Sequence, residues 1–482
     1  MKLSRLQSVA ASSLLLLGLC APAHASSRPR YGGTVRVLLH DRVNSLDPAV
    51  EDDYPATRDR MAALVFETLT SMDAQGRVRP RLADSWSSDQ SRRVWRFHLR
   101  LANFHDGSAL TAADAVAVLG SNAYGWRVTA ADRQTVMIES ASAVTHMPEM
   151  LALPRFAVVK RLSDNTLAGT GPYLVRAWQP GEHALLAANE DYWGGRPYPD
   201  AIEFQMGATL RDQLLQRQLG PYSAAEMPLD QLRLLEQGNQ SVSLSHASDL
   251  MVLLFLQPDT AADARSRKPV DPRVREALAN AVNRAAISNF ILQKHGVAAS
   301  GLLPQWLTGY EFLFPGGMNL DRARELRADA AGLVIISPIA LAYDFSDPVA
   351  KLAAERIALD ARQAGITVQP YGESHINNRS ARAALNADAV LLRVPLASLE
   401  PSVALAAAAD ELGLPPGVAV AALSAARPED LYDLESKTLR DFRVIPIAHI
   451  SQALWLNGGV HNWRQLPTGA WDLDQVWVEG AK

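Results

Sequence analysis

Only one cysteine, Cys20, occurs in the 482 residues, and it lies within the first 25. Those residues read as an export signal: Lys2 and Arg5, an apolar run centred on Leu14 to Leu19, then Ala23-His24-Ala25 ahead of Ser26. The run is shorter than the roughly 18 to 20 residues that cross a bilayer. Cleavage after Ala25 and a periplasmic destination are therefore expected. The alternative, a lipid anchor at Cys20, meets Leu19 where such sites take a small residue. An exported chain without a thiol forms no disulfide and no thiolate metal site, so its fold must be held by packed cores alone.

The length exceeds the roughly 250 to 300 residues at which a single core stops growing, which predicts two or three domains. With 48% hydrophobic and 20% charged residues there is ample material to fill them. The formal net charge of -4 leaves no basic excess for a phosphate backbone or an anionic membrane surface, so nucleic acid is not an expected partner.

Local patterns predict alternating strands and helices. Gly33 to Leu39 and Val94 to Leu99 read as strands, the second with strict alternation. A helix is expected from Thr57 to Leu69 on the spacing of Met61, Leu64, Val65 and Leu69. Thr111 and Asp114 form a capping box that opens a helix to residue 119. A longer amphipathic helix is expected from Pro272 to Leu292, strand-like residues at Val334-Ile335-Ile336, and a helix from Val349 to Ala364. The Ala-rich stretch from Ala381 to Ala426, interrupted by Asp388, Arg393 and Asp410, reads as packed helix. The alternation argues for α/β lobes.

Several stretches in order resemble the family 5 extracellular solute-binding proteins, the dipeptide, oligopeptide and nickel receptors of ABC transporters. They are Tyr31 to Val37, Ser45-Leu46-Asp47-Pro48, Val65-Phe66-Glu67-Thr68-Leu69, Pro80 to Trp86, Trp95 to Arg100, Phe104-His105-Asp106-Gly107 with Thr111 to Val116, Gly169 to Tyr173, Asn189 to Trp193, and Asp271 to Leu278. The resemblance implies a bilobal α/β fold of the type II (cluster C) kind. Two mixed-sheet lobes would be joined by a two-strand hinge, with an extra subdomain on the first. It places the signal at 1–25, the first lobe at 26–260 with a trimmed subdomain at about 55–165, the second lobe at 261–445, and a return to the first lobe over 446–482. In peptide-binding members an aromatic and an ammonium-pairing aspartate stand where this chain has Val394 and Ala397.

The loop after Leu46-Asp47-Pro48 resembles the family's cleft lining, which nominates Asp52, Asp53 and Tyr54. Two carboxylates beside an aromatic ring suit a cationic group, although a solvated acidic loop has the same composition. Arg393 joins them because it interrupts an apolar run and a buried guanidinium needs a partner. His105-Asp106-Gly107 has the composition of a turn. The 11 histidines offer no His-x-x-x-His or Glu-x-x-His spacing, and the chain has no nucleophile elbow or phosphate loop, so no catalytic residue, metal or cofactor is nominated. Tyr192, Trp193 and Trp86 are read as core aromatics. The expected function is a monomeric periplasmic receptor that hands a small polar solute, a peptide or related compound, to an ABC permease. The alternative is a scaffold of the same fold that meets a membrane sensor.

Overall fold

The structure, a computed structural model, describes residues 28–479 apart from 123, 228, 230–231, 233–240, 257–268, 311–313, 315–316 and 333–336. The signal segment with Cys20 and the run Val334-Ile335-Ile336 lie outside the described residues.

Among the described residues, two large mixed sheets form the two lobes. In Thr34–Leu38 the β-branched residues Val35 and Val37 are both fully buried on one face. This strand lies between Ala201–Gln205 and Ala224–Met227, parallel to both. The complete order of the seven-stranded sheet is Tyr173–Gln179, His183–Ala188, Ala201–Gln205, Thr34–Leu38, Ala224–Met227, Ala453–Leu456, Ser241–Leu244. The second sheet has six strands, in the order Gly296–Ala298, Val444–Ile450, Asp249–Phe255, Ala389–Val394, Ile339–Asp344, Val368–Glu373. Its central strands are buried along almost their whole length, as expected of strands covered on both faces.

A four-stranded sheet, Ala83–Ser88, Val94–Leu99, Thr135–Glu139 and Arg127–Ala130, forms the extra subdomain. Trp95, Phe97 and Leu99 point into its core and Arg96 and His98 point out, as the alternation predicts. The helix opened by Thr111 runs over Ala112–Leu119, with the Asp114 carboxylate accepting from the Thr111 N–H at 2.8 Å.

Three expected elements are corrected. The helix from Thr57 to Leu69 is shorter, Pro55–Ala62. Beyond it the carbonyls of Leu64 and Val65 accept from the N–H groups of Tyr173 and Gly171, both at 3.0 Å, instead of continuing the helix. That contact requires glycine: a Cβ on Gly169 would stand 1.9 Å from the Val65 carbonyl oxygen. The segment from Pro272 to Leu292 is divided into Pro272–Ala281, Arg284–Ala286 and a π-turn at Ile287–Ile291. The Asn283 N–H leaves the helical ladder for the buried Asp360 carboxylate at 2.9 Å, and its side chain starts a new turn on Ala286. Within the Ala-rich stretch, the short helix Arg379–Ala383 ends early, Ala389–Val394 is a strand of the second sheet, and helix resumes at Pro401–Glu411. An apolar run of this length, buried on both faces, carries no period that separates strand from helix.

The chain passes from one sheet to the other between Leu244 and Asp249 and returns between Ile450 and Ala453. The sequence placed the first passage at 260/261 and the return at 446. Asp249–Phe255 instead belongs to the second sheet, because its seven buried residues pair with Ala389–Val394 and Val444–Ile450. The two crossings run side by side. The Ser245 N–H donates to Gln452 O at 3.0 Å, and the Gln452 N–H donates to Ser245 Oγ at 2.8 Å.

Candidate functional site

A cavity of about 260 Å³ lies between the lobes. The first lobe contributes His40 and Asp41 from beyond the end of Thr34–Leu38, Asp53 and Tyr54 from the following loop, Thr57 and Arg60 from Pro55–Ala62, and Glu226 from Ala224–Met227. Asp344, Ser346, Asp347, Asn377 and Arg393 close it from the second lobe, while Asp249 and Gln452 enter from the crossings and Trp471 from the C-terminal return. Strand ends and helix starts thus supply most of the polar groups, and rigid elements hold them.

The lobes touch around the cavity rim. Tyr54 Oη shares a hydrogen bond with Ser346 Oγ at 3.2 Å. Asp53 Oδ2 accepts from His375 Nδ1 at 2.6 Å, and Glu51 Oε2 accepts from the Ser380 N–H at 2.9 Å. His40 spans both lobes: Nδ1 lies 3.1 Å from Ala208 O and Nε2 3.0 Å from Ser346 O. Carbonyls only accept, so the imidazolium, with both ring nitrogens donating, is the form these two contacts favour. Burial opposes that charge, but the two carbonyls together with Asp41 and Glu226 outweigh it and raise the His40 pKa.

Inside, Arg60 Nη1 meets Glu226 Oε1 at 3.2 Å, with its guanidinium 5.2 Å from the centre of the Trp471 ring. Arg393 Nε meets Asp347 Oδ2 at 2.7 Å. Burial, reinforced by Asp41, pushes the Glu226 carboxyl up to about 7 against the pull of Arg60. Burial likewise raises Asp41, Asp249 and Asp344. Asp41 is held by the Thr57 hydroxyl at 2.5 Å, and Asp249 by the Gln452 amide at 2.6 Å.

Of the residues nominated from sequence, Asp53, Tyr54 and Arg393 line the cavity together. Asp52 does not: its Oδ2 accepts from the N–H groups of Asn44 and Ser45 at 3.0 and 3.4 Å, and its Oδ1 from Tyr54 N–H at 2.9 Å. It shapes the loop that presents its neighbours. Sequence reasoning missed Asp41, Arg60, Glu226 and Asp249. Asp249 did leave a signal, since a carboxylate that opens the otherwise apolar strand Asp-Leu-Met-Val-Leu-Leu-Phe needs a reason to be there.

His105, Tyr192 and Trp193, which were not nominated, make hydrogen bonds away from the cavity. The Gly169 N–H donates to His105 Nδ1 at 3.3 Å, which leaves the ring proton on Nε2 to donate to Gly171 O at 3.0 Å. Burial holds that ring below the usual histidine range, consistent with a neutral strut. Tyr192 and Trp193 both donate to Glu67, as described below. Among the described residues, no cluster of three or more His, Cys, Asp or Glu side chains has the arrangement of a metal site, and no helix is long and apolar enough to cross a membrane.

Residues 77–411 match the model of the bacterial extracellular solute-binding proteins, family 5 Middle. The chain belongs to that family, whose members are solute-binding proteins. The probable D,D-dipeptide-binding periplasmic protein DdpA of Escherichia coli (strain K12) is 25% identical over 298 residues, which cover 55% of this chain and 56% of DdpA. The chain thus spans about half the length of that relative. The nickel-binding protein NikA of Staphylococcus aureus is 24% identical over 403 residues, 79% of this chain and 78% of NikA. A dipeptide binding protein of Pseudoalteromonas, solved with Met-Leu, superposes with a TM-score of 0.79 at 17% identity over 93% of this chain and all of that one. DppA of Helicobacter pylori, solved with the peptide STSA, gives 0.78 at 18% identity over 94% and 99%. At these identities the superpositions show the bilobal fold.

Proposed function

We propose that the chain captures a small polar solute between its lobes in the periplasm and presents the closed form to the permease of an ABC importer, breaking no bond and acting as a monomer. The observation that carries this reading is the cavity between the lobes, lined by charged groups from both and ringed by contacts from lobe to lobe. A solute that touches both walls binds the closed form better than the open one, and that difference is what shifts the population toward closure. Its size favours a compact ligand, since about 260 Å³ is below the ~300 to 1,000 Å³ of pockets that hold drug-sized molecules.

A thermal-shift panel tests the proposal, with amines, amino acids, dipeptides, sugars and chelated nickel each offered to the purified chain. A true ligand at about a hundred times its dissociation constant adds roughly 2.7 kcal/mol, a clear rise in midpoint. A cooperative melt that no member of the panel moves contradicts solute capture and favours a scaffold of the same fold.

A further inference from the structure

Among the described residues, six carboxylates line the interlobe cavity, Asp41, Asp53, Glu226, Asp249, Asp344 and Asp347, against the guanidiniums of Arg60 and Arg393 and the His40 ring. The positive groups are already engaged. Arg60 faces Glu226, Arg393 faces Asp347, and His40 donates to two carbonyls. Asp53 has His375 as its partner. Three carboxylates remain with only neutral donors: Asp41 on the Thr57 hydroxyl, Asp344 on the Ser346 N–H and hydroxyl, and Asp249 on the Gln452 amide.

Asp249, 7% exposed, is set apart from the other two by an oxygen that lacks a partner. Its Oδ1 is buried without a hydrogen-bond partner, at a side chain that lines the cavity wall. An ionised carboxylate in that position lacks half of its expected partners, which is costly unless a ligand supplies them. Asp41 is close enough to Asp249 and Glu226 to perturb both, so the three acids form one cluster in the cavity wall.

We infer that the solute is a compact organic cation, an amine or guanidine whose nitrogen donates to Asp249 with Asp41 beside it, and that it carries a net positive charge. The inference rests on the receptor reading above and names its ligand class. A zwitterion or an anion would bring a further carboxylate into a cavity where acids already outnumber guanidiniums. A diamine or a guanidino-amine meets the excess of carboxylates over guanidiniums in that lining. Trp471 and Tyr54 line the same space.

Isothermal titration calorimetry of the full chain with putrescine and agmatine, set against Gly-Gly, Ala-Ala and succinate, tests this. Saturable binding of a cation, at least tenfold tighter than any dipeptide, is expected. Asp249→Asn should weaken it by roughly ten- to a hundredfold, the loss of one charge-assisted hydrogen bond. Asp73→Asn, in an exposed turn remote from the cavity, should leave it unchanged. Asp41→Asn serves as a second variant if Asp249→Asn fails to melt cooperatively. Tighter binding of a dipeptide or of succinate overturns the ligand class while the receptor reading stands. Cation binding that both cavity variants leave unchanged overturns the assigned seat. Silence of every solute class in the wider thermal-shift panel is the distinct outcome that removes the receptor reading itself.

Discussion

Gln452 Nε2 donates to Asp249 Oδ2 at 2.6 Å, joining the two strands that carry the chain between the lobes at the point where they border the cavity. The bond has two consequences. It fixes the Asp249 carboxylate in the cavity wall with Oδ1 buried and unpartnered, and it ties the hinge to that residue. Gln452→Ala removes the donor and leaves both oxygens of a buried carboxylate unsatisfied. Denaturant unfolding at pH 7 should show a loss of about 1 to 3 kcal/mol. The loss should shrink at pH 5, because burial already raises the Asp249 pKa and protonation removes the charge that needs the donor.

His40 predicts a pH dependence of closure. Its pKa is raised in the folded, closed protein by the Ala208 and Ser346 carbonyls and by Asp41 and Glu226, which outweigh burial. A histidine raised in this way contributes stability that is complete below its unfolded pKa of about 6.5 and is lost as pH rises through the higher folded value. Because Ser346 lies on the opposite lobe, part of that contribution belongs to closure. Small-angle scattering of the solute-free chain should give a larger radius of gyration at pH 8.5 than at pH 6. His40→Ala should remove the difference.

Glu67 gathers the first lobe. Its buried carboxylate, 2% exposed, accepts from Tyr192 Oη at 2.7 Å, Trp193 Nε1 at 2.8 Å and Thr170 Oγ1 at 2.9 Å, and pairs with Arg81 Nε at 2.6 Å. Removing one partner of a buried, hydrogen-bonded ion pair strands the other. Glu67→Ala should therefore cost about 3 to 5 kcal/mol in chemical denaturation. Tyr192→Phe, which deletes one donor of four, should cost nearer 1 kcal/mol.

A second tie lies away from the hinge. Asp410 of helix Pro401–Glu411 accepts a short hydrogen bond from the Tyr124 hydroxyl and pairs with Arg155 Nη1 at 2.9 Å, and Arg155 Nη2 donates to Tyr124 Oη at 2.6 Å. Tyr124 precedes the subdomain strand Arg127–Ala130, so the triad fastens the subdomain to the second lobe. A double-mutant cycle of Tyr124→Phe and Asp410→Asn should give a coupling energy of about 0.5 to 3 kcal/mol in unfolding free energy. A value indistinguishable from zero would mean that the triad is a solvated contact.

The legibility of the chain followed the physics of each signal. Alternation made Val94 to Leu99 readable because one face of that strand meets water and the other does not. Ala389–Val394 was hidden because both faces are covered, so nothing in its pattern distinguishes strand from helix. Asp53, Tyr54 and Arg393 were legible through a loop motif and through a charge in an apolar run. Asp41, Arg60 and Glu226 were not, because they stand on separate elements and become a cluster only when the sheet places Thr34–Leu38 beside Ala224–Met227. The excess of carboxylates is a property of that juxtaposition. Asp52 is nominated with its neighbours because a turn-forming aspartate and a ligand-binding aspartate have the same composition until the backbone N–H groups that bind its carboxylate are located.

Hydrogen–deuterium exchange with and without a bound solute tests the central claim most directly, since one cavity closed by both lobes makes a demand on two distant stretches of chain. On addition of a solute that raises the melting midpoint, slower exchange is predicted both in Pro55–Ala62 on the first lobe and at residues 344–350 on the second, together with the crossings at 245–249 and 450–453. Protection confined to one lobe, with the opposite wall and the crossings unchanged, would contradict capture between the lobes.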